Sequence, residues 1–289
     1  MKQEGKAPKK KSQFKDVCRR FAKNRPAMAG LVIFVILALI AIFANVLCDE
    51  SLTVQISADI MQKPSARHWF GTDNLGRDIL ARCIYGARIS LSIGFVSVAI
   101  SVLIGSFLGA AAGYFGGVID NVIMRITDML MCIPSMLLVM AIIAALGISL
   151  VNLLIAMTIS SVPSYIRLVR ASVISLTDME YVQCARSYGT PSYLIIFRHV
   201  LPNAIGPIII TAAGNIAGVI LAAAGLSFLG FGVQQPTPEW GAMVSAAKVY
   251  LRTAPFMSFF PGIAIVISAM SINLIGDGLR DALDPRLKE

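Results

Sequence analysis

Few residues in this 289-residue chain could do covalent or metal chemistry, and their spacing argues against it. There are two histidines, His68 and His199, separated by several long apolar runs and so too far apart to share a metal. His199 reads as a solvated or interfacial residue. The cysteines Cys18, Cys48, Cys83, Cys132 and Cys184 have no metal-ligand spacing. Cys132 and Cys184 read as packing residues in or near apolar runs, whereas Cys48 and Cys83 could pair if both face outward. Nucleophilic catalysis needs a hydroxyl or thiol beside a base. Ser160 and Ser161 lie in an apolar run without histidine, and the other apolar runs also lack it. No glycine-rich loop carries the lysine and hydroxyl residue that cradle a nucleotide's phosphates. An enzyme is therefore disfavoured, and ATP binding by such a loop is excluded.

The polar residues instead build a punctuated element between two apolar regions, from Ser175 to Pro202: SLTDMEYVQCARSYGTPSYLIIFRHVLP. Thr177 and Glu180 have capping-box spacing. Met179, Val182, Ala185 and Tyr188 recur at helical spacing, with Asp178, Gln183 and Arg186 on other faces. Gly189 is placed as a C′ glycine. Thr190-Pro191 then predicts a second helix, beginning with proline and running to Pro202. A solvated loop would need neither caps nor an amphipathic face. Outside the bilayer, such a helix must bury its apolar side on headgroups or on a partner.

Six apolar spans are expected to position this element. The chain is 56% hydrophobic and 14% charged, well below the roughly 25% charge of soluble domains. Ten of its 25 Lys and Arg residues fall in the first 25 positions. A basic tail before an apolar span reads as a topology signal rather than a nucleic-acid arm. Residues 1–26 are assigned as a basic cytoplasmic segment, where Phe14, Val17 and Phe21 suggest an amphipathic helix on the inner leaflet. Residues 27–279 are assigned as the transmembrane domain, with spans at about 27–48, 87–113, 127–147, 150–169, 204–224 and 257–276, each near the roughly 20 residues that cross a bilayer. Residues 280–289 form the tail. The first span is too long for a signal-peptide core and lacks a small-residue cleavage site, so it is read as retained. Gly105, Gly109 and Gly113 repeat every four positions, as close helix packing in lipid requires. The third and fourth spans are divided at Gly147-Ile148-Ser149, with kinks expected at Pro134 and Pro163. Gly225 to Tyr250 reads as an irregular outward segment. Asn152 and Asn215 are the polar residues that either line a pathway or bond between helices. With six spans, 18 basic residues share the side of the termini and the 175–202 loop, against seven opposite. The positive-inside rule makes that side cytoplasmic.

The 175–202 stretch resembles the cytoplasmic loop of ABC importer permeases: Glu-Ala-Ala, three residues, Gly, nine residues, then Ile-x-Leu-Pro. It falls here on Gln183-Cys184-Ala185, Gly189 and His199-Val200-Leu201-Pro202, with Gln183, Cys184 and His199 departing from the pattern. Gln183 removes one charge from the expected docking helix. GTDNLGRDILARCIYGARISLSIG (Gly71–Gly94), LSFLGFGVQQPTPEWGAM (Leu226–Met243) and NLIGDGLRDALDPRLK (Asn273–Lys288) are similar to segments of the C-type permease of the dipeptide, oligopeptide and nickel class, so the likeness runs from about Trp69 to the end. The resemblance implies an all-α membrane protein with six transmembrane helices and a cytoplasmic coupling helix. It implies a multi-pass location in a bacterial or archaeal inner or plasma membrane, with both termini cytoplasmic. The implied partners are a B-type permease, two ATPase subunits and an extracytoplasmic substrate-binding protein. ATP and Mg would lie in the ATPases, with no cofactor bound by this chain. Glu180, Gln183, Cys184, Ala185, Gly189, Leu201 and Pro202 are the expected coupling residues.

At the opposite side, Asp73, Gly76, Arg77, Asp78 and Trp240 are read either as turn formers or as a loop that shapes the outer gate or receives the binding protein. A local, exposed Arg77–Asp78 pair would contribute little. Peptides are the expected substrate, with nickel or a metal chelate as the alternative. A self-contained secondary transporter would want charged residues at mid-membrane, and those are missing.

Overall fold

A computed structural model describes residues 13–54 and 59–283. The lysine run at 9–11, the Phe14 side chain and the last six residues lie outside the described residues. All the regular elements described are helical. The chain begins with α1 (Gln13–Lys23) and α2 (Arg25–Ile42), followed by the short α3 (Ala44–Leu47) and α4 (Ser51–Val54). Next come α5 (Ile79–Phe115), α6 (Gly117–Met131), α7 (Ser135–Leu146) and α8 (Leu150–Thr177). The 175–202 region supplies α9 (Glu180–Ser187) and α10 (Ser192–Ile195). The chain closes with α11 (Leu201–Phe228), α12 (Trp240–Ala247) and α13 (Phe256–Leu283).

Five helical stretches are long and apolar enough to cross a membrane: α2, α5, α8, α13 and the run Ser192–Phe228. A sixth crossing is broken: α6 and α7 meet at 90° around Pro134. Proline lacks the N–H of a helical bond and disfavours helix at the residue before it, and the kink expected at Pro134 in the 127–147 span is a full break into a bent pair. Pro163, by contrast, sits inside α8 without ending it.

Small residues set the packing. A Cβ on Gly109 would stand 2.7 Å from the Ile166 carbonyl and 2.9 Å from Val169 Cβ. One on Gly113 would stand 2.9 Å from the Arg170 carbonyl, and one on Gly105 would collide with Tyr165. The predicted four-residue glycine repeat is thus the seam between α5 and α8. Gly30 does the same for α2 against α13, where Leu274 and Ser271 lie 2.7 Å from the missing methyl.

Helices α5, α8, α11 and α13 outrun their expected ends, whereas α2 stops at Ile42, short of the expected 48. At 37 residues, α5 rises about 55 Å, far more than a hydrocarbon core of about 30 Å. Its outer turns begin at Ile79 because Asp78 caps them, its carboxylate accepting from the Ala81 N–H at 2.9 Å. The fourth span continues to Thr177 and the sixth to Leu283, so the tail assigned from 280 begins inside a helix. The segment 225–250, expected to be irregular, contains α12. In α1, Phe21 packs at Gly278 of α13, and Asn24 Nδ2 donates to Asp281 at 3.0 Å. This helix is therefore held on the end of α13.

Candidate functional site

The 175–202 element forms a helix, a glycine turn and a second helix, but its caps differ from the sequence expectation. Thr177 still belongs to α8, and its hydroxyl donates to the Ile174 carbonyl at 2.8 Å. Met179 occupies the N-cap position of α9 with no side-chain cap. The capping box fails because the preceding helix consumes the threonine. Glu180 remains in the first turn, where a carboxylate suits the helix dipole.

The far end of α9 closes as expected. Gly189 has φ +73°. Its N–H donates to Arg186 at 2.9 Å, and the Thr190 N–H reaches back to the Ala185 carbonyl at 3.1 Å. These two bonds define a Schellman closure, which needs the left-handed residue that glycine supplies.

The expected single apolar face is split. Val182 is completely buried in a cluster with Val169, Val173, Ile195 and Val200, and Ala185 packs partly against it. Met179 and Tyr188 instead point outward, 48% and 89% exposed, beside exposed Tyr181. Gln183 and Cys184 are exposed as well, with Gln183 Nε2 donating to the Asp178 carbonyl at 3.2 Å. Arg186 stands 4.7 Å over the Tyr114 ring. Val182 is the buried anchor that pins α9 to the bundle, with Ala185 and Arg186 at its side, while Gln183, Cys184 and Tyr188 face away.

The second predicted helix does not stop at Pro202. It passes from α10 through a π-helical turn at Ile196–Val200 into α11. Leu201 and Pro202 open α11, where the missing proline N–H is accommodated beside a widened turn. Motion at α9 is therefore connected to α8 on one side and α11 on the other.

The residues singled out around Gly71–Asp78 and at Trp240, expected to face outward, form a buried network. Asp73 Oδ1 accepts from the Leu75 and Arg77 N–H groups at 2.9 and 3.0 Å. Its other oxygen meets Arg77 Nε at 2.6 Å and Arg82 Nε at 3.8 Å. Arg77 also donates to Gln235 at 3.0 Å, and Arg82 donates to the carbonyls of Thr53 and Pro236. The expected Arg77–Asp78 pair is absent: Asp78 faces His68 Nδ1 at 2.8 Å while capping α5. The pairing shifts because Gly76, at φ +76°, turns the chain back and brings Arg77 over Asp73. Trp240 is buried, its Nε1 donating to the Cys83 carbonyl at 2.9 Å over the small Gly86. Cys48 and Cys83 are free thiols rather than a disulfide, and Cys83 packs into the core that holds Trp240.

Four side chains of this network were not singled out as members from the sequence: His68, Arg82, Gln235 and Glu239. Glu239 caps α12, accepting from Gly241 and Ala242 at 2.8 and 2.7 Å. An acidic residue directly before the WGAMVSAA run was a legible cap signal. Arg82 had none, because a helical arginine shows its burial only in three dimensions. Asn152 and Asn215 each bond between helices. Asn152 Nδ2 donates to the Leu146 and Gly147 carbonyls at the end of α7, and Asn215 Nδ2 to Tyr165 Oη at 3.0 Å.

The structure is a polytopic helical bundle with a short helix slung between two spans, and its relatives tell which class of membrane protein it is. The chain belongs to the family described as "Binding-protein-dependent transport system inner membrane component", which matches residues 101–289. Residues 12–64 match the "N-terminal TM domain of oligopeptide transport permease C". It is 46% identical over 277 residues to the dipeptide transport system permease protein DppC of Alkalihalophilus pseudofirmus, covering 96% of this chain and 91% of that one. It is 42% identical to the di/tripeptide permease DppC of Pseudomonas aeruginosa, covering 96% and 93%. Against the glutathione permease GsiD of Pectobacterium atrosepticum the identity is 40%, covering 96% and 93%. A solved inward-facing MetNI methionine ABC transporter shares the fold, with TM-score 0.54 and 18% identity over 71% of this chain and 96% of that one. This is a multi-pass inner-membrane permease of the ABC importer type.

Proposed function

We propose that this chain is one permease half of an ATP-powered peptide importer, driven through α9. The carrying observation is the construction of that helix: Val182 anchors it, a Schellman turn at Gly189 fixes its exit, and Tyr181, Gln183, Cys184 and Tyr188 are left exposed. An exposed face on a helix so firmly seated suits docking into a groove of an ATPase subunit. Two ATPases holding ATP and Mg supply the energy, a B-type permease supplies the other half of the pathway, and an extracytoplasmic protein delivers substrate. This chain binds no cofactor and catalyses no reaction. Closure of the ATPases moves α9, and α8 and α11 carry that motion into the spans. Both termini and α9 are cytoplasmic by charge distribution. The outer network of Asp73, Arg77, Asp78 and Trp240 acts as a rigid platform, since its polar groups are spent on one another. Names of the relatives, two dipeptide-type permeases and a permease for the tripeptide glutathione, support peptide over nickel as substrate.

The test is uptake of labelled dipeptide, longer peptide and nickel by vesicles containing the chain with its co-encoded subunits. ATP-dependent dipeptide uptake that disappears without the binding protein is expected. Uptake by this chain alone without ATP would overturn the reading.

A further inference from the structure

Two cavities meet at Arg88. One is an open apolar groove of about 300 Å³ between α2 and α5, lined by Phe34, Ala38, Leu91 and Phe95 among others; the Phe34 and Phe95 rings pack 5.3 Å apart. The other, about 260 Å³, is of mixed character, more polar than the first, and lies beyond it, lined by Glu50, Thr53, Tyr85 and Thr237 among others. Arg88 lines both. Its guanidinium is fixed by donation to the Ala41 and Ile42 carbonyls and to Asn45 Oδ1, at 3.1 to 3.2 Å. Those bonds use three of its five N–H groups. The carbonyls it holds end α2, whose 18 residues rise about 27 Å, close to the thickness of the hydrocarbon core. Arg88 therefore lies where acyl chain gives way to headgroup. Glu50, on the polar side, makes no ion pair among the described residues.

The geometry points to a bound phospholipid with an aminoalkyl headgroup: acyl chain in the α2–α5 groove, phosphate on Arg88, ammonium on Glu50. The order of chemistry along the site, apolar then cationic then anionic, is complementary to phosphatidylethanolamine read from its tail outward. A guanidinium with two spare N–H groups matches a phosphate bidentately. A lipid without the amine, such as phosphatidylglycerol, leaves Glu50 facing no cation.

The assembled transporter containing the full-length chain is exchanged into nanodiscs of equal phosphatidylethanolamine and phosphatidylglycerol. The lipid retained on this subunit is then read by native mass spectrometry. The wild type retains one phosphatidylethanolamine in preference to phosphatidylglycerol by about tenfold, the scale of one charge-assisted hydrogen bond. Glu50→Gln keeps a bound lipid but brings the preference to near one, and Ala38→Phe, which fills the groove, loses both lipids. Free phosphoethanolamine, lacking the tail, displaces nothing. A wild type without retained lipid, or a Glu50→Gln complex with unchanged preference, overturns the assignment. So does a Val96→Cys chain that crosslinks to the partner permease, because the groove is then a subunit interface.

Discussion

Asp73 answers two buried guanidiniums at once, those of Arg77 and Arg82, which are 3% and 2% exposed. Its loss would leave both cations without this carboxylate in a dry site. Removing one partner of a buried ion pair costs about 3–5 kcal/mol, so Asp73→Ala is expected to lower the thermal midpoint of the purified complex by several degrees. Arg67, whose side chain is 80% exposed, pairs with Asp59 at 3.4 Å. Arg67→Ala should change stability by no more than about 0.5 kcal/mol; equal effects from the two variants would refute the burial argument. Gly189 is a different kind of residue. A side chain there meets nothing within 4 Å, so substitution incurs only the left-handed backbone penalty of about 1–2 kcal/mol. Gly189→Val should therefore insert and assemble normally while ATP-driven uptake falls at least severalfold. Gly189→Asn, which tolerates φ near +73°, should restore most of it. Identical uptake by the valine and asparagine variants would detach the turn from coupling.

Between elements, the glycine seam makes the sharpest contrast. Gly109 faces the Ile166 carbonyl at the distance of a clash, whereas Gly214 on α11 has nothing within 4 Å of a built Cβ. One methyl at Gly109 must force α5 and α8 apart. Gly109→Ala is expected to reduce the amount of assembled complex recovered from membranes, while Gly214→Ala leaves it near wild type; equal recovery would mean the seam yields. The seam was legible in the sequence because its period of four is a property of one helix. So was Gly189, since a glycine after a short amphipathic run has one economical use. The ends of α5, α8 and α13 were not legible. They carry polar residues, which read as loop until tertiary partners such as Asp120, bonded to Arg170, hold them in helix. Thr177 misled for a related reason: a cap signal cannot reveal that the previous helix has not yet ended. The Asp73 network lay furthest from view, since Arg77 reaches Gln235 and Arg82 reaches Pro236 across more than 150 residues.

At the scale of the whole chain, topology turns on the broken span. Asp120 and Asp128 are about two turns apart on α6, roughly 12 Å. They pair with Arg170 and Arg167, which are less than one turn apart on α8. α6 therefore lies across α8 toward its C-terminal end, and the crossing falls to α7. With 12 residues, α7 rises about 18 Å, less than a hydrocarbon core of about 30 Å. It completes a crossing only if α6 carries the chain part of the way into the hydrocarbon or the bilayer thins around it. The parity of the whole molecule depends on that step. If α7 crosses, the 18 basic residues counted with the termini share one side with α9. A re-entrant α6–α7 pair would run α5 and α8 antiparallel, whereas Gly105, Gly109 and Gly113 meet Tyr165, Ile166 and Arg170 in the same order; it would also move α9 to the opposite side from the basic amino tail, against the positive-inside rule. A membrane-impermeant maleimide decides between them, each site being tested as the single cysteine of the chain. Cys18 and Cys184, both exposed, should resist labelling in intact cells and react in inverted vesicles. Trp69→Cys, at a position 70% exposed, and Ile148→Cys, at one 48% exposed, should react in intact cells. Labelling of Ile148→Cys only from the inner side, together with outer labelling of Cys184, would make the pair re-entrant and withdraw α9 from any ATPase in the cytoplasm.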